Sequence, residues 1–148
     1  MSIAVWVALV AVALGGASTA TQAPINARLA TYVGDPVATA AISFLVGFLV
    51  LSVLALVRGG LPDWGELSQA PWWAWAGGAL GAFYVWAALW SIGTLGAVTL
   101  VAAMIFGQLA AALVLDATGA FGLPLREISW TRVLAVAFVA AGLILSRL

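Results

Sequence analysis

The sequence predicts an all-α integral membrane protein that forms a single domain of five transmembrane helices. Of its 148 residues, 66% are apolar and only 7% are charged, whereas a soluble domain of this length needs about a quarter of its residues charged. The apolar residues form five continuous segments, each close to the roughly 20 residues that cross a bilayer as a helix. The segments comprise residues 2–23, 36–57, 71–90, 94–116 and 130–148. Lipid is therefore the expected solvent.

The composition also excludes several classes of function. The apolar segments are continuous and rich in Ala and Leu, so they lack the alternation of a membrane β-barrel. The chain has no Cys, no His and no Lys, and no nucleophile–base pair is evident. We therefore expect no enzymatic activity, no cofactor and no metal. Nucleic acid is not an expected partner, because no basic patch is present to neutralise phosphates.

Positive charge is balanced between the two faces of the membrane. With five crossings the chain ends lie on opposite faces, and the N-terminal side is designated face one. Three arginines, Arg58, Arg126 and Arg132, fall on face one, while Arg28 and Arg147 fall on face two. Because orientation follows Lys/Arg asymmetry, this balance predicts insertion in both orientations. Alternatively, the N-terminal amine and one extra arginine suffice to hold face one in the cytoplasm.

Local signals mark where the predicted helices begin and end. Asp35 and Pro36 are typical of an N-cap followed by the first helical residue. Residues 91–96 predict a short turn, so the third and fourth segments form a tight antiparallel hairpin. Pro24 is expected to bend the chain where the first helix closes. Three tryptophans are expected to anchor the chain at headgroup depth: Trp64, Trp72 and Trp73.

Polar residues within the apolar segments are the candidates for binding a solute, because such groups usually face the interior of a bundle or a cavity. Thr19, Gln22 and Asn26 are spaced i, i+3 and i+7, which places them on one helical face. Gln108 lies near the centre of the fourth segment. Ser43 is a weaker candidate on the second. The alternative for these groups is hydrogen bonding between helices.

Aromatic, small and acidic residues give the remaining candidates. Trp75 and Tyr84 are predicted walls of a cavity, alongside an aromatic stripe on the third segment. Gly77 and Gly81 are spaced so that another helix can approach closely, and Gly47 has the same role on the second segment. Asp116 is the only candidate proton carrier within the helices. Its alternative role is that of an interfacial carboxylate paired with Arg126 or Arg132.

Several motifs, taken in their order and spacing, resemble the YdcZ-like five-helix branch of the drug/metabolite transporter superfamily. They cover nearly the whole chain. They are QAPINARLA (22–30), GDP (34–36), ISFLVG (42–47), PWWAW (71–75), GGALGA (77–82), GAVTL (96–100), Gln108, Glu127 and AGLIL (141–145).

This resemblance implies that the chain is half of a transporter. Larger members of the superfamily have ten helices, arranged as two five-helix repeats of inverted orientation. A five-helix chain reproduces that arrangement as an antiparallel homodimer, or by pairing with an oppositely oriented paralogue, in the bacterial inner membrane. Gln22 and Asn26 belong to the family motif, which favours a role in binding or gating. Unlike the four-helix multidrug resistance proteins, this chain has no acid in the middle of its first helix.

Three hypotheses for function follow. The first is a transporter subunit that moves a small polar or amphipathic solute by alternating access. The second is a dual-topology channel, which needs a continuous polar stripe. The third is an accessory or assembly subunit that does not itself transport, and it predicts that the polar candidates can be replaced at no cost except stability.

Overall fold

The computed structural model describes residues 2–60 and 63–148, without the side chain of Trp64. The predicted anchoring by Trp64 therefore lies outside the described part. Every regular element among the described residues is helical, which confirms the predicted all-α class. The elements are α1 (Ile3–Val33), α2 (Pro36–Val57), the short α3 (Trp64–Leu67), α4 (Ala76–Thr118) and α5 (Trp130–Leu145), with 3₁₀ turns at Trp72–Trp75 and Ala120–Gly122. The chain forms two compact units, Met1–Gly93 and Thr94–Leu148.

The first helix is longer than the sequence predicted. Pro24 lies inside α1, and the helix continues beyond it to Val33. The predicted end at residue 23 is therefore wrong. A proline removes only its own N–H from the backbone hydrogen bonds of a helix. Keeping every other backbone group hydrogen-bonded stabilises a helix in lipid. Gly34 ends α1 in a left-handed conformation with φ of 81°, and its N–H donates to the carbonyl of Ala30.

The second helix begins and ends where the sequence predicted. Asp35 is its N-cap, and one carboxylate oxygen accepts a hydrogen bond of 2.6 Å from the N–H of Ala38. Pro36 occupies the first turn, where its missing N–H costs nothing. In the first unit, Ala40 of α2 packs with Val85 and Leu89 of α4, and small residues of α1 cover this cluster.

The turn predicted at residues 91–96 is a single-residue break in the structure. The chain is helical through Leu95, and Gly96 departs from helical geometry with φ of 73° and ψ of 165°. The helix then resumes to Thr118. The longer predicted turn is wrong because one glycine can supply a backbone change that other residues cannot. The antiparallel arrangement of the two segments remains a prediction.

The second unit pairs the later part of α4 with α5 through contacts at both ends. Near the start, the Thr99 hydroxyl donates to the carbonyl of Ser146 and accepts from the Ser146 hydroxyl, both at 3.2 Å. At the other end, Arg132 forms an ion pair with Asp116. Ser146 also caps α5, which ends at Leu145 and so is three residues shorter than predicted.

The lengths of the described helices suit a bilayer. Three apolar helical segments among them are long enough to cross it: Ile3–Val33, Pro36–Val57 and Trp72–Thr118. The last has 47 residues and is interrupted at Gly96, and two crossings need about 40 residues. Helix α5 has 16 residues and extends about 24 Å, which is less than the roughly 30 Å of the hydrocarbon core. The count of five crossings remains a prediction.

Candidate functional site

A polar seam, formed by Asn26 and Ser43, joins α1 to α2 in the first unit, and Thr39 lies one turn before Ser43 on α2. Asn26 is only 5% exposed, and its amide nitrogen donates to the Ser43 hydroxyl at 3.1 Å. Thr39 is completely buried and donates to the carbonyl of Asp35 at 2.7 Å. Among the described residues, no buried side-chain nitrogen or oxygen lacks a hydrogen-bond partner. The seam is therefore satisfied by protein groups alone.

The three polar residues predicted to share one face of α1 have different surroundings. Asn26 is turned toward α2, whereas Thr19 and Gln22 are exposed. Thr19 donates to the carbonyl of Gly15 at 2.9 Å and so is satisfied within its own helix. The face of α1 that packs is formed largely by alanines, including the buried Ala23. Of the three residues, Gln22 is the one that is exposed and has no side-chain hydrogen bond among the described residues of the first unit.

Two glutamine amides in largely apolar helices have no hydrogen-bond partner among the described residues of their own compact units. Gln22 has none among the described residues of the first unit, and Gln108 has none in residues 94–148; both are exposed. Gln108 lies about midway between the break at Gly96 and the end of α4. An amide left unpaired in hydrocarbon costs several kcal/mol, roughly 4–8 on a water-to-cyclohexane scale. Each amide must therefore meet water, a solute or another polypeptide surface.

Pro24 adds a third polar group to this region of α1. Because proline has no N–H, the carbonyl of Ala20 loses the donor that it would have in an unbroken helix. Ala20 is half-buried. Because α1 continues through Pro24, this carbonyl lies within the helix, in the same turn as Gln22.

The predicted aromatic walls lie at different points of the first unit. Tyr84 is half-buried on α4 and packs against the cluster of Ala40, Val85 and Leu89. Trp75 lies in the 3₁₀ turn before α4 and is 58% exposed. Trp75 therefore shares the position of the predicted interfacial anchors, and its role as a wall remains a prediction.

An apolar groove of about 370 Å³ lies between α2 and α4 within the first unit. Phe83 and Trp86 of α4 line it, their rings 5.7 Å apart, and Trp86 also stacks on Trp90 at 6.2 Å with planes 14° apart. The sequence identified this aromatic stripe but missed the opposite wall. That wall is formed by Val37, Ala40, Ala41 and Phe44 of α2.

Close approach of the helices occurs at one of the three predicted glycines. A Cβ at Gly81 would lie 3.4 Å from the ring of Phe44, which is van der Waals contact, so a side chain larger than alanine would meet this ring. At Gly77 and Gly47 the space within 4 Å is open in the single chain. Their role in helix packing remains a prediction.

Asp116 is engaged by two arginines near the end of α4 in the second unit. Its carboxylate pairs with Arg132, and the two side chains are 25% and 33% exposed, respectively. Its backbone carbonyl also accepts from the N–H of Arg126 at 2.8 Å. This is the interfacial pairing that the sequence offered as the alternative to proton coupling. Among residues 2–60 and 63–148, no group of three metal-ligating side chains comes together.

Comparison with known proteins places these features in a family. A family model described as "Putative inner membrane exporter, YdcZ" matches residues 7–145. Inner membrane protein YdcZ of Escherichia coli (strain K12) is 34% identical over 85 residues, which is 57% of this chain and 57% of that protein. The chain thus spans little more than half the length of this curated relative. No solved structure matches the chain.

Proposed function

Since the chain belongs to the YdcZ family of multi-pass inner-membrane proteins, we propose that it is a transporter subunit for a small polar or amphipathic solute. The observation that carries the proposal is the pair of open amides, Gln22 and Gln108. Both lie in largely apolar helices, and neither is satisfied by the described residues of its own unit. A solute path explains why such costly groups are present.

The proposed path is completed by a second copy inserted in the opposite orientation. Two such copies form an inverted repeat, and rocking of one against the other exposes the same amides to each side in turn. An oppositely oriented paralogue would serve equally well as the partner. Amides donate and accept hydrogen bonds without carrying charge, so this lining suits an uncharged polar group of the solute.

Water access at Gln108 tests the proposal without knowledge of the solute. We expect Gln108→Cys, in an otherwise cysteine-free chain, to react with a charged methanethiosulfonate reagent in membranes that are open on both sides. The reaction needs the thiolate, and a thiol in lipid does not ionise. Gln22→Cys is expected to behave in the same way.

Phe138→Cys is the control at matched depth, because Phe138 lies near the middle of α5 and is 73% exposed in the single chain. We expect Gln108→Cys to react about tenfold faster or more, in line with the dependence on ionisation. If the two variants are equally unreactive, the Gln108 amide faces lipid or protein, and the proposed path is wrong.

A further inference from the structure

The loop between α4 and α5, residues 119–129, carries two adjacent charges of opposite sign. Arg126 and Glu127 are both exposed, and neither side chain has a hydrogen bond or an ion pair within residues 94–148. The charges on the adjoining helices, Asp116 and Arg132, neutralise each other. Arg126 and Glu127 are therefore the charges that this loop presents to its surroundings.

The backbone of this charge pair is held in place by the two helices that flank the loop. The N–H of Arg126 donates to the carbonyl of Asp116 at 2.8 Å, and the carbonyl of Glu127 accepts from the Arg132 guanidinium at 3.4 Å. The same guanidinium forms the ion pair with the Asp116 carboxylate. Two unpaired charged side chains thus stand on a fixed stretch of backbone.

Apolar side chains flank the charge pair on both sides. Leu125 precedes it and is 74% exposed, while Ile128 follows it and is 55% exposed. Removal of such side chains from water is favourable, so they favour contact with lipid. Residues 97–118 of α4 suffice to cross a bilayer, which takes about 20 residues. The loop that follows them is therefore expected among the lipid headgroups.

We propose that Arg126 and Glu127 bind a phospholipid headgroup that carries both a phosphate and a primary ammonium, the chemistry of phosphatidylethanolamine. The Arg126 guanidinium donates to the phosphate oxygens, and the Glu127 carboxylate accepts from the ammonium group. Leu125 and Ile128 contact the upper part of the acyl chains. An anionic headgroup fits less well, because Glu127 repels it and is left without a partner. This lipid site does not depend on the proposed transport function.

A fluorescent label in the loop reports binding of the headgroup. Ser129 is exposed, and the chain has no native cysteine, so Ser129→Cys can be labelled with bimane in purified protein. The labelled protein is titrated in neutral detergent micelles with phosphatidylethanolamine or with the anionic phosphatidylglycerol. We expect the half-maximal change in emission at an about threefold to fivefold lower mole fraction of phosphatidylethanolamine, the range typical of exposed ion pairs.

Substitution of each charge assigns its role. Glu127→Gln is expected to reverse the preference toward phosphatidylglycerol, because Arg126 then meets a phosphate without the neighbouring negative charge. Arg126→Gln is expected to weaken the response to both lipids. The matched controls are Arg147→Gln and Glu66→Gln, which remove exposed charges outside this loop and are expected to keep the preference for phosphatidylethanolamine.

A water-soluble arm separates the lipid from a free solute of the same chemistry. Glycerophosphoethanolamine has the headgroup without acyl chains, so we expect it to cause no change in emission. A response at a concentration similar to that of the lipid would show a soluble ligand and contradict the lipid site.

Two further results would overturn the proposal. One is an equal response to the two lipids in the protein with both charges intact, a comparison that needs no substitution at Arg126 or Glu127. The other is a preference for phosphatidylethanolamine that persists in Glu127→Gln. Neither measurement involves a transported solute or a second copy, so failure of the transport proposal would leave both unchanged.

Discussion

At the scale of the residue, polar side chains in the helices are either satisfied by the chain or left open. Asn26 and Ser43 satisfy each other, and Thr39 is satisfied by the backbone. Gln22 and Gln108 are open within their own units. The sequence grouped Asn26 with Gln22 because their spacing places them on one face. The rotation of α2 about its own axis decides which of the two residues finds a hydrogen-bond partner, and the sequence does not show this rotation.

This division predicts that replacing Asn26 destabilises the protein and that replacing Gln108 does not. We expect Asn26→Leu to lower the free energy of unfolding by about 1 kcal/mol, because the Asn26–Ser43 hydrogen bond is lost between helices. Gln108→Leu is expected to cause no loss, since the amide has no partner within its unit to give up. The measurement is unfolding of the purified protein in mixed micelles, followed by helical circular dichroism.

Ile25→Leu is the control for the first variant, because Ile25 adjoins Asn26 and is 61% exposed. Adding Ser43→Ala to Asn26→Leu should cost little more, since the hydrogen bond is already absent. If Gln108→Leu destabilised the protein more than Asn26→Leu, the description of Asn26 as hydrogen-bonded and of Gln108 as unpaired within its unit would be contradicted.

At the scale of the element, local chemistry predicted the start of α2 correctly but placed the end of α1 too early. The start of α2 follows from Asp35 and Pro36, whose effects are confined to one turn. The end of α1 was wrong because Pro24 breaks helices in water more readily than in lipid, where no solvent replaces the lost bonds. The break at Gly96 was expected as a longer turn, since four of the six residues 91–96 are small or polar.

Packing of α2 against α4 gives a prediction at this scale. Gly81→Leu is expected to lower the melting temperature. The Cβ of the new side chain would already touch the Phe44 ring at 3.4 Å, so its outer carbon atoms would have to displace the ring. Gly77→Leu, one turn earlier, has open space and is expected to leave the melting temperature within a few degrees. The measurement is thermal unfolding in detergent.

Equal melting temperatures for the two variants would contradict the close approach at Gly81. A loss at Gly77→Leu that appears only in the dimeric fraction would instead assign Gly77 to the contact between copies. Size-exclusion chromatography of both variants separates these results.

At the scale of the whole molecule, composition and motif order together predicted the class and the family. The match over residues 7–145 confirms the family, and 7% charged residues sufficed to place the chain in lipid. The groove lined by Phe44 and Trp86 was not predicted, because its two walls come from helices about forty residues apart in the chain. Long-range pairing of this kind depends on tertiary packing, which local periodicity does not encode.

The central claim is that two oppositely inserted copies complete one path, and labelling of single cysteines tests it most directly. Ser2→Cys and Gly60→Cys, both on the predicted face one, are exposed in the structure. Each is treated with a membrane-impermeant thiol reagent in intact and in lysed cells. The three-to-two division of arginines predicts that about half of each variant is labelled in intact cells. Labelling of all or of none would show a single orientation and contradict the antiparallel homodimer.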